Sequence, residues 1–236
     1  ISFVFPSSTL FRSVTSYNGT SSVTITINGE DEPPCFVSGT LIDTPLGRRP
    51  VEDLCAGDQV LTRDHGVQEI CWAGRRTIDL RDPKFAAAFA PVRLSKHSLA
   101  PGVPDRDILM SPMHRVLVRD PAVSLFTGLN EALCPVVHLV NGKTILREDV
   151  DRVTYHHLLF REHEVLLSHN CPSESFYPGP VGLNGFADQA RDEVLAIFPE
   201  LRSFATGYGQ PARPVLKRFE AILVSDRLTK AWAQVA

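Results

Sequence analysis

The sequence predicts an all-β domain followed by a short α-helical tail. Two observations carry that reading. Between residues 35 and 170 the apolar residues fall in short runs bounded by turn residues, and no strong helical period appears. In the last sixty-odd residues the pattern changes, with Val194, Leu195 and Phe198, then Leu216, Phe219 and Leu223, recurring at helical spacing.

Residues 1–34 read as an N-terminal leader rich in Ser, Thr and Asn. Val23, Ile25 and Ile27 alternate with Thr24 and Thr26, the pattern of a strand with one buried face. Asn28-Gly29 ends it, and Glu30 to Pro34 forms an acidic linker closed by proline. Asn18-Gly19-Thr20 spells a glycosylation acceptor, although Asn-Gly is more simply a turn.

Cys35 heads the next strand-like run, Phe36 to Ile42, which closes at the turn Thr44–Gly47. Gln59–Thr62 and Val67–Trp72 flank Asp64-His65-Gly66 and predict a hairpin. Lys84–Leu94 is apolar and Ala-rich and reads as a strand with an irregular lead-in. Asp107–Arg119 reads as strand and stops at Asp120-Pro121. Val136–Val140 and Thr144–Arg147 flank Asn141-Gly142, a second hairpin. Val153–Phe160 and Glu164–Leu167 come next as strands. Pro178, Gly179, Pro180, Gly182 and Gly185 lead into a helix over Asp188–Phe198, stopped by Pro199, and Val215–Val224 reads as another.

The 236 residues suffice for one large domain or two small ones, and the 43% hydrophobic and 22% charged content is that of a globular chain. A net charge of -3 advertises no basic face for nucleic acid. No apolar run approaches the ~18 residues of a membrane span. The first residue is Ile and no signal peptide is visible, the expected look of a piece of a longer chain. Five cysteines leave at least one unpaired within the chain, and no CxxC spacing suggests zinc. Cys55, Cys71 and Cys134 sit among apolar neighbours and read as small core residues.

Three pieces could carry chemistry: Cys35 after Pro34; Ser111-Pro112-Met113-His114 inside a strand-like run; and His163 with the later His169-Asn170-Cys171. Each alone has a bland reading, since an isolated histidine is more often a satisfied core residue. His156-His157 reads as strand surface plus core, with no Cys or carboxylate at ligand spacing beside it.

Taken together these pieces resemble the Hedgehog/intein (Hint) superfamily of self-processing domains. Cys35-Phe36-Val37-Ser38-Gly39-Thr40 looks like the opening motif, with the nucleophile first. Val51-Glu52-Asp53-Leu54 and Gly57-Asp58-Gln59-Val60-Leu61 are similar to the family's next stretch. Ser111-Pro112-Met113-His114 looks like the Thr-x-x-His motif with Ser in the Thr place. Val153–His163 resembles the penultimate motif, and His169-Asn170-Cys171 the intein C-terminal junction. Pro172–Phe176 is similar to the tail of bacterial Hint domains.

The resemblance implies a flattened β horseshoe with three parts: a leader (1–34), an autoprocessing domain (35–170) and a helical extension (171–236). Cys35 would attack the carbonyl before it in an N-to-S acyl shift. His114 would give the departing nitrogen its proton, and Ser111 would bind the scissile carbonyl or fix the histidine tautomer. At the far end Asn170 would cyclise, helped by His163 and His169, and Cys171 would accept the leader in full splicing. Pro34 stiffens the backbone before the nucleophile, so the first step is expected to be slow. His169-Asn170-Cys171 has a second reading, a chance spelling in a β-turn.

The expected reactants are the chain's own flanking segments and an external thiol, amine or water, with no cofactor, metal, nucleic acid or membrane. Two other classes stay open. One is an inactive Hint-like secretion or interaction module. The other is a cysteine hydrolase acting in trans.

Overall fold

The computed structural model describes residues 10–13, 24–27, 34–178, 188–202 and 208–233. Ahead of Cys35, β1 (Leu10–Ser13) and β2 (Thr24–Ile27) form an antiparallel pair with Leu10 opposite Ile27. The strand expected at Val23–Ile27 is thus present over Thr24–Ile27. Asn18-Gly19-Thr20 lies outside the described residues.

From Cys35 the elements are β3 (Phe36–Val37), β4 (Leu41–Thr44), β5 (Gly47–Pro50), β6 (Gln59–Thr62), β7 (Gly66–Glu69) and β8 (Trp72–Asp79). Next come α1 (Pro83–Phe89), β9 (Val92–Leu94), β10 (Ile108–Met110), β11 (Arg115–Val118), α2 (Pro121–Thr127) and β12 (Ala132–Pro135). The β-domain finishes with β13 (Ile145–Arg147), β14 (Arg152–Leu159), β15 (Val165–Ser168) and β16 (Cys171–Glu174). The tail holds α3 (Asp188–Ile197) and α4 (Arg218–Ala233).

Among the described residues, the strands from β3 onward build two sheets. One has the order β13-β9-β10-β3-β14-β8. The other has the order β12-β11-β16-β15-β4-β5, with β6 pairing β15 and β7. Most strands are short, and each carries only a few inward side chains before a turn residue redirects it. Phe36, Ile42, Val60, Val92, Met110, Val116, Cys134, Leu158 and Leu166 meet in the main core. Burying each large apolar side chain there is worth about 1.5–3 kcal/mol before entropy is counted. β8 and β14 pair over their full eight-residue lengths and form the longest ladder among the described residues.

Three expected elements differ. Lys84–Leu94 is not one strand: α1 occupies its first half and β9 its end. Asp82 caps α1 by accepting from the Lys84 N–H at 2.9 Å, with Pro83 as first helical residue. Asp120-Pro121 does the same for α2, so both Asp-Pro pairs start helices. Asp107–Arg119 is two strands, broken at Ser111–His114. Val136–Leu139 is a 3-10 turn rather than a hairpin arm, and β13 pairs with β9 instead. Asn141 still makes a tight turn, its side-chain oxygen accepting from the Lys143, Thr144 and Ile145 N–H groups.

The tail packs back on the β-domain. Val194, Leu195 and Phe198 cluster with Trp72, Leu159 and Phe176. α4 buries Ala221 and Val224, with Leu216 just ahead of it. Phe219 and Leu223, at helical spacing from Leu216, are 60% and 49% exposed. Among the cysteines expected in the core, Cys134 is buried, Cys71 is intermediate and Cys55 is exposed. The Cys55 thiol donates to Asp58, whose hydrogen bond and charge push its pKa up.

Candidate active site

Cys35 stands at the head of β3, which lies between β10 and β14. Phe36 is opposite Met110 on one neighbour and His156 on the other. One residue further along each antiparallel register, Cys35 is faced by Ser111 and by His157. The position of the cysteine at the head of an interior strand therefore brings two polar side chains to it.

On the β10 side the Ser111 N–H donates to Cys35 O at 3.1 Å, and the Cys35 N–H donates to Ser111 Oγ at 3.0 Å. The sequence suggests the Pro34 carbonyl or a histidine as the partner of Ser111; the hydroxyl instead meets the Cys35 nitrogen. Pro112 has no N–H to continue the ladder, so the chain turns, with His114 N–H donating to Ser111 O at 3.0 Å. That turn carries His114 inward against Phe36, ring centroids 4.5 Å apart and edge-on. His114 is fully buried, and neither ring nitrogen makes a hydrogen bond of ordinary geometry among the described residues. Burial lowers its pKa to about 4, against the raising effects of Glu174 and the Cys35 backbone.

On the β14 side stands a residue that the sequence motifs do not single out. His157 Nδ1 is 3.2 Å from the carbonyl oxygen of Pro34. Its Nδ1 and Nε2 are 3.4 and 3.5 Å from Cys35 Sγ. One imidazole therefore touches both the Pro34 carbonyl and the Cys35 thiol. Burial lowers its pKa to about 3, partly countered by the Pro34 carbonyl, so the ring is neutral at pH 7. Neutral imidazole has one N–H to donate and one lone pair to accept. With the proton on Nδ1, it donates to Pro34 O and leaves Nε2 to take the thiol proton.

The local signal for His157 is the Tyr-His-His run itself. Strand alternation sends adjacent residues to opposite faces, so one histidine of the pair has to face the core side. His156 takes the other face, its Nε2 2.8 Å from Ser38 Oγ.

The other predicted residues lie in separate settings. His163 is buried, its Nδ1 accepting from Ala212 N–H at 3.0 Å, so its proton sits on Nε2, 3.2 Å from Glu174 Oε2. Glu174 also accepts from the Arg115 N–H at 3.0 Å and the Arg115 guanidinium at 3.1 Å. Burial alone would raise the Glu174 pKa; Arg115 and His163 outweigh it and hold the carboxyl ionised. This buried carboxylate thus fixes the backbone one residue after His114.

His169 and Asn170 form the two-residue turn between β15 and β16, with φ of 50° and 59° and Ser168 paired to Cys171. Both central residues in the left-handed region make a tight hairpin of the kind asparagine tolerates. His169 Nε2 accepts from Leu41 N–H at 3.0 Å, and Asn170 Nδ2 donates to Gly102 O at 2.9 Å. Cys171 is fully buried, and burial pushes its thiol up to about 12. β16 continues from it and pairs with β15 and β11, so the boundary expected after Asn170 falls within a hairpin.

The two-sheet β-fold and a cysteine flanked by hydroxyl and imidazole at a strand head define an intein-like self-processing domain. A family model for the Hint domain matches residues 34–180, and the chain belongs to that family. Domains of this family act on their own flanking segments. Several solved structures are similar. The "AceL NrdHF class 3 split intein GSH linked splice inactive variant" has 13% identity and TM-score 0.40, covering 60% of this chain and 97% of that one. An intein-like domain from Clostridium thermocellum has 14% identity and TM-score 0.35, with 61% and 98% covered. The gp41-1 intein has 14% identity and TM-score 0.33, with 59% and 97% covered. No curated protein matches the chain. Among the described residues no helix is long and apolar enough to cross a membrane.

Proposed function

We propose that this domain cleaves the Pro34–Cys35 bond by an N-to-S acyl shift and works at that end only. The observation that carries the reading is that both sides of the bond are held. Ser111 Oγ takes the nitrogen side at 3.0 Å, and His157 Nδ1 takes the carbonyl side at 3.2 Å with the thiol 3.4 Å away.

His157 Nε2 accepts the thiol proton while Sγ bonds the Pro34 carbonyl carbon, and the C=O π electrons move to oxygen. The new imidazolium donates through Nδ1 to that oxyanion, which a nearby charged donor stabilises more than a neutral one. The C=O then re-forms and the C–N bond breaks. The nitrogen leaves with a proton from the imidazolium form of His114. His114 ends neutral and His157 ends protonated, so the proton count is unchanged. The product is a thioester on Cys35 with a free α-amine. An external thiol attacks it, releasing residues 1–34 as a thioester and restoring the Cys35 thiol; water gives the acid instead. Because burial lowers the His114 pKa to about 4, its acid form is scarce at pH 7, and the step is slow.

The settings of residues 169–171 support one-ended action. The Asn170 amide nitrogen, which would attack its own carbonyl, already donates to Gly102 O. Cys171, the would-be acceptor, is buried with its thiol pKa pushed up to about 12. β16, which starts at Cys171, is an interior strand of its sheet. The test is intact-mass measurement of the purified chain with and without dithiothreitol. The expected product is residues 35–236, absent in Cys35→Ala. A wild-type chain that stays whole under thiol would remove the proposal.

A further inference from the structure

The imidazole of His157 has to present Nδ1 to one atom and Nε2 to another, so its ring plane must be fixed. An aromatic wall stands against it: Trp72, at 6.3 Å between centroids and 29° between planes, and Phe176, edge-on at 5.6 Å.

Trp72 reaches that place across a glycine. It opens β8, and Gly74, two residues on and on the same face, is opposite His157 in the β8–β14 register. The indole lies back over Gly74. A Cβ at Gly74 would come within 2.1 Å of Trp72 Cη2 and 2.4 Å of Cζ2, so a side chain there would displace the ring. The bare backbone of Gly74 is thus what lets the indole cross the strand to the histidine. The far edge of the indole is tied down from the tail: Trp72 Nε1–H donates to Glu193 Oε2 at 2.9 Å, across 121 residues of sequence. α3, which carries Glu193, docks on the same cluster through Val194, Leu195 and Phe198.

We infer that Trp72 is a positioning residue for His157, seated by the open space at Gly74 and held by Glu193 of α3, so that the helical tail is a working part of the cleavage site. The tail then acts as a strap whose docking sets the geometry of the first step. This rests on cleavage at Pro34–Cys35, and the experiment separates the two.

Three variants of the full chain are compared: Gly74→Ala, Glu193→Leu and Glu193→Gln. Release of residues 1–34 by dithiothreitol is timed by mass spectrometry, and the side-chain 15N signals of His157 are recorded alongside. Gly74→Ala should slow release by about 100-fold, the size of loss a ~1 Å misplacement produces. Glu193→Leu should slow it about tenfold or more. Glu193→Gln keeps an oxygen acceptor for the indole N–H and should run within about twofold of wild type, a rescue that loss of bulk packing would not produce.

In the two slow variants the His157 signals should shift, with the thermal midpoint of Glu193→Leu close to that of wild type because Glu193 is exposed. Unchanged His157 signals in both Gly74→Ala and Glu193→Leu would overturn the inference, as would equal slowing by Leu and Gln at Glu193. If wild type releases nothing, the cleavage reading falls, while the His157 signals still decide whether Trp72 and α3 position the ring.

Discussion

His157 Nδ1 sits 3.2 Å from the carbonyl oxygen of Pro34, a residue 123 positions earlier in the chain. The contact exists because β3 lies beside β14, and it puts one imidazole on both the Pro34 carbonyl and the Cys35 thiol, the two groups that the proposed acyl shift would join. His157→Ala should therefore slow thiol-induced release of residues 1–34 by roughly 10²–10⁴-fold, the usual weight of a general base. His156→Ala, which alters the opposite face of β14, should leave the rate near that of wild type. Mass spectrometry of timed samples reads both; equal rates for wild type and His157→Ala would end the assignment.

In the proposed mechanism His114 supplies the proton to the departing nitrogen. His114→Ala should slow release by roughly 10²–10⁴-fold, while Cys35 remains open to thiol alkylation in denaturant. Ser111→Ala removes the acceptor for the Cys35 N–H and should slow the step by a smaller factor, about tenfold. A larger loss in Ser111→Ala than in His114→Ala would count against His114 as the proton donor.

Both buried histidines make the fold sensitive to acid. Burial lowers the pKa of His114 to about 4 and of His157 to about 3, while an unfolded chain protonates near 6.5. Between those values the unfolded state binds more protons, so stability falls as pH drops from about 6.5 toward 3. Above about 6.5 both states are neutral at these sites and the effect is absent. Urea midpoints measured from pH 7.5 to 4.5 should decline, and His157→Gln should flatten the decline. A flat wild-type curve would contradict the burial of these rings.

Glu174 answers to three groups at once: Arg115 N–H, the Arg115 guanidinium and His163. Glu174→Ala leaves the Arg115 charge unpaired and a cavity behind it. A loss of about 3–5 kcal/mol in urea unfolding is expected, toward the lower figure because the Arg115 side chain is 25% exposed. A loss under about 1 kcal/mol would mean the charges were solvated all along.

Asn170 is a turn residue in this fold. With φ at 59°, Asn170→Gly should hold or raise stability, and Asn170→Ala should cost about 1–2 kcal/mol. Neither should change release at Cys35, and in both, as expected of wild type, residues 171–236 should stay attached. Wild-type protein that breaks between Asn170 and Cys171, with Asn170→Ala blocking the break, would restore two-ended processing.

Much of the fold is legible in the sequence because its signals are local. Short apolar runs between turns mark β6, β14 and β15, helical spacing marks α3, and Cys35, Ser111 and His114 stand out as spelled motifs. The Asp-Pro starts of α1 and α2 are equally local, yet an apolar run beside them reads as strand until the cap is weighed: Asp caps a helix and Pro opens it. The break at Pro112 is similar, since a long apolar run looks like one strand until the missing N–H is counted.

Which side chain meets which depends on the assembled sheets. Two adjacent histidines have the same local signal, and only the pairing of β14 with β3 gives His157, not His156, to Cys35. Ser111 Oγ faces nitrogen rather than carbonyl because β10 flanks β3 on the other edge. His169-Asn170-Cys171 is a junction or a turn by spelling alone; the pairing of Ser168 with Cys171 makes it a hairpin. Registers between distant strands are set by burial summed over whole sheets, a property that no short window of sequence contains.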